Sequence, residues 1–330
     1  MRRPTRSRLF GCLTVLAVLA LGEGGARVLA PRLPSSGEWP DGPIAQQYDG
    51  LAHGSATAPV PVVFVGSSMV EAGIDPSTFS SDTGLRALNA AVPASTNAML
   101  TPWLSHVVVP LARPRVVLIG IATRDFNDNA IGPHDAILAL TRSPGYHSLV
   151  ARDALTRFDR FVSRYSALIR LRRQLRNPMN ILRAIVRADP SLSRDSCRSS
   201  VSQRYRSSAL VSSYPSSVLK NYSAGGAQTT ALIQTIDHLK RMKIGVVLVK
   251  LPTTTAYLAL HPHGRPDIAS FDRAVRNVVR QTRAPLIDAS EITSTHYFQD
   301  QIHMNCAGAK KLTSAIARDW PTAALKRFLR

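Results

Sequence analysis

Cysteine is scarce in this sequence, with three in 330 residues, too few for a disulfide framework to stand in for a hydrophobic core. Cys12 lies in an apolar N-terminal run. That leaves Cys197 and Cys306 in the body, where an oxidising compartment would permit a bond and two separate thiols fit equally well. Acidic residues are also few, 21 Asp and Glu against 41 Lys and Arg, for a formal net charge of +20. No internal repeat is evident. His261-Pro-His263 offers two histidines without a third ligand, a pattern that suits a proline-bearing surface loop better than a metal centre, so no metal and no organic cofactor is expected. Apolar residues make up 45% of the chain, which places it among globular rather than disordered sequences. The length suits one large domain carrying an insertion.

The positive excess implies anionic partners, and its placement narrows them. It concentrates in the N-terminal MRRPTRSR and in residues 143–226, where 15 basic residues face 4 acidic ones. A basic groove spread over the whole fold is therefore not expected, and nucleic acid is disfavoured. Within 143–226, Leu155, Phe158, Val162, Tyr165 and Ile169 follow helical spacing. This predicts a basic amphipathic helix across 152–176, stopped by Asn177-Pro178, with a second helix over 179–187. Such a helix presents either a solvated face or a surface for anionic headgroups or acidic glycan.

Four arginines precede an apolar stretch from Leu9 to Gly22, and Glu23 interrupts it. The run suits a signal-peptide core. Carried on to Ala30, with Glu23 and Arg27 paired at i,i+4, it suits a membrane-spanning anchor. Both readings leave the N-terminus inside and put the body outside the cytoplasm, on the membrane or secreted. Residues 1–30 are thus expected to be a signal-anchor or signal helix, and the Pro-, Gly- and Ser-rich 31–58 a linker. Residues 59–330 then form the main domain, with the basic insertion at about 143–226.

From residue 61 short uninterrupted apolar runs alternate with helical patterns. The runs are Pro61–Val65, Val116–Ile119, Val246–Val249 and Pro285–Asp288; the helices are expected near 97–108, 227–241, 267–282 and 306–319. This rhythm predicts right-handed βαβ units and a mainly parallel sheet buried on both faces. In such sheets ligands sit at the carboxyl ends of the strands. There the sequence places Ser67-Ser68, Thr123-Arg124-Asp125 and the loop 289–303.

Two distant segments carry the chemistry: VFVGSSM at 63–69 and FQDQIHMNCAG at 298–308. A serine hydroxyl at a strand's tip becomes a nucleophile when an imidazole takes its proton, and the imidazole needs a carboxylate to fix its tautomer. Ser68, His303 and Asp300 supply these three parts. Ser67 would point elsewhere, one step earlier in the turn.

The segments resemble the SGNH/GDSL hydrolase superfamily. VFVGSSM is similar to its first block, with Ser68 at the nucleophile and Ser67 at the usual aspartate. RALNAAVPASTNA at 86–98 resembles the second, with Asn89 opening it and Ala94 where a glycine ordinarily gives an oxyanion N–H. RVVLIGIATRDFND at 115–128 resembles the third, and Asp300 with His303 the final D-x-x-H. In the third block Ala122 stands where the family has an asparagine donor, which leaves Thr123, Arg124 and Asn127 as replacements.

The resemblance implies a three-layer α/β/α sandwich with about five mainly parallel, flavodoxin-like strands. It also implies a serine esterase acting on acyl esters of envelope glycan or lipid. An acyltransferase using the same three residues and a non-catalytic glycan- or lipid-binding module are the alternatives. Asn89 is expected to support the loop beneath the serine.

Overall fold

The computed structural model describes residues 6–29, 58–130 and 216–321 without a break, and single positions or short stretches within 47–55, 162–185 and 325–328. They fall into two units, Met1–Gly42 with His147–Ser193, and Pro43–Tyr146 with Arg194–Arg330. Cys197, the linker for the most part, and most of the predicted helix at 179–187 lie outside the described residues.

In the first unit, helix α1 (Arg6–Leu29) is 24 residues long. Among the described residues no helix is long and apolar enough to cross a membrane. The uninterrupted apolar run Leu9–Gly22 rises only about 21 Å at 1.5 Å per residue, short of the ~30 Å hydrocarbon core. Beyond it Glu23 is committed elsewhere. It pairs with Arg27 at 2.8 Å as the spacing predicts, and its carboxylate also accepts the N–H groups of Ala167 and Leu168 and the hydroxyl of Ser166.

Glu23 thereby satisfies orphan donors at the start of the short helix Ala167–Arg170, which Arg172–Leu175 follows. The backbone N–H of Ala167, then Arg27, hold the Glu23 carboxyl down at about 2. Leu155 and Phe158 of the predicted basic helix lie outside the described residues. Within them the helix breaks at Ser166. The reason is local: the Ser166 hydroxyl accepts the Ile169 N–H and starts a new helix.

The second unit is built on five parallel strands in the order β2-β1-β3-β4-β5. These are β1 (Val62–Val65), β2 (Ala87–Asn89), β3 (Val116–Ile121), β4 (Gly245–Lys250) and β5 (Leu286–Asp288). Every residue of β1 and β3 is buried, as is expected of runs covered on both faces. β2, three residues with one buried, was not anticipated: its short edge leaves no apolar run to read.

Alternate strand residues enter two separate cores. Val63, Val65, Val117, Ile119 and Leu248 face α4 (Asn97–Trp103), α5 (Ala227–Arg241) and α6 (Arg265–Thr282). Val62, Phe64, Val116, Leu118 and Val249 face α2 (Ser68–Gly73), α3 (Pro76–Thr83) and α7 (Cys306–Arg318). Helices thus cover both faces of the sheet.

The helix sequences explain their packing. In α6, Phe271, Ala274, Val275, Val278 and Thr282 recur on one buried face, and Pro266 opens the helix. Asn305 caps α7 by accepting the Gly308 N–H at 3.0 Å. From β1 the chain goes first to β2 on one side and then to β3 on the other. The strand order therefore reverses between β1 and β3, where a cleft opens at the carboxyl edge of such sheets.

Candidate active site

β1 ends at Val65, and Gly66 turns the chain at φ 151 so that α2 begins at Ser68. α2 then lies close over the tips of β1 and β3. A Cβ on Gly66 would come within 2.5 Å of Val70 Cγ2 and 2.9 Å of the Gly120 carbonyl, and one on Gly120 would also collide with Val70 Cγ2. Asn89 holds the other end of α2: its side-chain amide donates to the carbonyls of Val70 and Ile74, and its oxygen accepts the Ala91 N–H. That amide is spent on the support of the helix that begins at Ser68.

His303 Nε2 lies 2.9 Å from Ser68 Oγ, across 235 residues of sequence. On the ring's far side Nδ1 lies 2.6 Å from Asp300 Oδ2, while Asp300 Oδ1 accepts the N–H groups of Ile302 and His303 at 2.8 and 2.7 Å. With Nδ1–H donating to the carboxylate, Nε2 presents its lone pair to the serine hydroxyl. Ser68 is 5% exposed and His303 1%, so the contact is shielded from water. The loop that carries Asp300 is pinned from both sides: the Gln301 carbonyl accepts the Thr254 hydroxyl at 2.8 Å, and Gln299 N–H donates to the His303 carbonyl. Asn305 caps the following helix, which leaves Asp300 to the turn and the ring.

The segment that carries Ala94 is fastened beside this turn. Val92 N–H and Ser95 Oγ both donate to the Gly66 carbonyl, each at 2.9 Å. Ala94 itself sits in left-handed backbone at φ 61 and is exposed. This conformation favours glycine, and it leaves the Ala94 N–H without a hydrogen bond among the described residues.

The turn after β3 sorts the three replacement donors. Thr123 Oγ1 pairs with the Tyr257 hydroxyl at 3.1 Å, and the Thr123 carbonyl accepts from Tyr222. The Asn127 amide donates to the carbonyls of Val218 and Lys220, while its oxygen accepts from Asn129 and Ser223. Asn127 is therefore a clamp for the returning chain and not a donor into the cleft, a correction to the sequence reading.

Arg124 and Asp125 are both buried and approach at 3.6 Å, Nε to Oδ1. Burial pushes the Asp125 carboxyl up to about 6, against Arg124 and the Ala122 N–H, which lower it. The Ser67 hydroxyl lies near this carboxyl without closing an ordinary hydrogen bond.

The surface-loop expectation for His261 and His263 is half right. His263 Nδ1 lies 3.0 Å from Asp267 Oδ1. His261 is buried against Tyr222 and Tyr257, with neither ring nitrogen hydrogen-bonded among the described residues, and burial lowers its basicity. No cluster of three metal-ligating side chains occurs among the described residues.

No family model and no curated protein matches the chain. Among solved structures it is similar to a catalytic mutant of an acetylxylan esterase from Geobacillus stearothermophilus, at 12% identity over 78% of this chain and 92% of that one, with a TM-score of 0.40. It is also similar to a GDSL-like lipase from Bacteroides thetaiotaomicron, at 11% identity over 86% and 98%, again with a TM-score of 0.40.

Proposed function

We propose that the chain is a serine esterase in which Ser68 attacks an acyl ester, His303 moves the proton and Asp300 orients His303. One observation carries this reading: an unbroken hydrogen-bonded line from Asp300 Oδ2 through the imidazole to Ser68 Oγ, at 2.6 and 2.9 Å, at the strand-order reversal of a parallel sheet.

In the forward step Nε2 takes the Ser68 proton as Oγ bonds to the carbonyl carbon, and the carbonyl oxygen becomes an oxyanion. The Ser68 N–H, an orphan donor in the first turn of α2, and the Ala94 N–H receive that charge. Collapse breaks the C–O bond to the alcohol, which leaves with the proton held on Nε2. Water, deprotonated by the same nitrogen, then frees the carboxylic acid and restores Ser68. We assign the substrate to acyl esters of glycan or lipid.

The test is labelling of the full chain with a fluorophosphonate probe. Wild type and Ser67→Ala are expected to label, whereas Ser68→Ala and His303→Ala are not. Labelling that persists in Ser68→Ala would refute the assignment. Release of free acid from an acylated sugar or glyceride, followed by mass spectrometry, identifies the ester class.

A further inference from the structure

We propose that Arg124 is the side-chain donor that binds the oxyanion, an inference that rests on Ser68 acting as nucleophile. Ala122 cannot donate from its side chain, and the structure shows where the other candidates are spent. Thr123 is bound to Tyr257, and Asn127 holds the carbonyls of Val218 and Lys220. Arg124 has five N–H donors and, among the described residues, makes no hydrogen bond.

A side chain 4% exposed whose guanidinium has a carboxylate at 3.6 Å but no hydrogen bond forgoes strong charge-assisted bonds. Such a site becomes favourable when an anion arrives. Only Nε is sealed inside without a partner; the two terminal nitrogens are not sealed. Ser67 Oγ and Asn97 Nδ2 are also unpaired, but both are sealed from solvent and cannot meet a substrate atom.

Position agrees with this assignment. β1 and β3 are neighbours with Val65 opposite Ile119. Ser68 and Arg124 follow that pair by three and five residues, so they leave the sheet side by side at the reversal point. Asp125 lies against Nε and is itself tied to the Ala122 N–H at 2.9 Å. It holds the inner edge of the guanidinium and leaves the outer edge for the developing charge. The positive charge then faces an oxygen that is neutral in the bound ester and anionic only as Oγ bonds, so it acts on turnover more than on binding.

The experiment compares wild type with Arg124→Met, Arg124→Lys and Asn97→Ala as full chains. Each is assayed on p-nitrophenyl acetate and on the carboxylate-bearing p-nitrophenyl hemisuccinate, with the rate and final extent of fluorophosphonate labelling measured in parallel. For Arg124→Met we expect kcat to fall by a factor on the order of 100 to 1,000 on both esters alike. KM should barely move, and labelling should be slow but reach the full extent that marks an intact site.

Arg124→Lys, which keeps the charge and loses the fork, should recover about tenfold of that loss with an unchanged melting curve. It therefore reads the same effect even where the methionine variant folds poorly. Asn97→Ala should turn over normally. Unchanged kcat in both arginine variants, a loss confined to the hemisuccinate, or the loss appearing in Asn97→Ala instead would each overturn the assignment. A wild type that never labels removes the nucleophile and this inference together; a labelled wild type with a normal Arg124→Met removes the inference alone.

Discussion

Glu23 and Asp125 are both carboxyl groups with an arginine within four residues, and they end in opposite states. Glu23 accepts two backbone N–H groups, a serine hydroxyl and a guanidinium at the surface of the first unit, and its carboxyl is held down at about 2. Asp125 is enclosed at the sheet edge with one backbone N–H and an arginine at 3.6 Å, and burial pushes it up to about 6. The neighbouring arginine does not decide between them. The number of donors that meet the charged form, set against the water removed from it, does. The first arrangement fixes a helix start. The second leaves an arginine with donors to give.

Replacing each carboxyl by its amide breaks the comparison in a graded way. Asp300, with Oδ2 against the ring of His303 and Oδ1 accepting two backbone N–H groups, is expected to show the largest effect. Asp300→Asn should keep the fold but cost about 10⁴ in kcat, because the amide favours the wrong imidazole tautomer. Turnover within tenfold of wild type, with melting unchanged, would refute this.

Asp125→Asn acts next, on stability. A carboxyl raised from 3.8 to about 6 on folding binds its proton more tightly in the folded chain. Wild-type stability should therefore decline as pH rises through that window, by roughly 3 kcal/mol for a shift of two units, whereas the amide has no such slope. Denaturant midpoints of the two proteins at pH 4 and 6.5 give the test, and an equal change in both would count against it.

Glu23→Gln should act only on the first unit. Its lowered carboxyl contributes stability above about 4.5 that is lost as pH falls towards about 2. The variant should expose the amides of Ala167 and Leu168 to faster hydrogen exchange already at pH 7, with α5 and α6 unaffected. Protection unchanged at those two amides would contradict the capping role. The smallest effect belongs to Ala94→Gly, which relieves left-handed backbone and should stabilise the fold by about 1 kcal/mol, read as a shift in melting temperature.

Much of the second unit was legible because its signals are local. Val116–Ile121 and Gly245–Lys250 are long enough to announce buried strands, and Phe271, Val275 and Val278 mark α6 by spacing alone. The meeting of Ser68 with His303 was expected from the resemblance of their two segments to the SGNH/GDSL motifs, since no local pattern joins positions 235 residues apart. Other features depend on partners that no local pattern names. Glu23 looked like half of a surface ion pair, yet it caps a segment more than 140 positions away. Thr123, Arg124 and Asn127 were equivalent as donors until Tyr257 and the carbonyls of 218 and 220 took two of them. His261 read as surface because Pro262 suggests a loop, while Tyr222 and Tyr257 enclose it.

The two glycines beneath α2 have a further bearing on redesign. The height of Ser68 Oγ above the strands is set by two missing methyl groups, at Gly66 and Gly120, into whose space Val70 projects. Enlarging position 120 calls for trimming at 70, where the new Cβ would collide with Val70 Cγ2, and for a small shift of Leu251, whose Cδ1 would lie 3.2 Å away. The paired change Gly120→Ala with Val70→Ala therefore offers a route to shifting Ser68 relative to the strands without altering Ser68, His303 or Asp300.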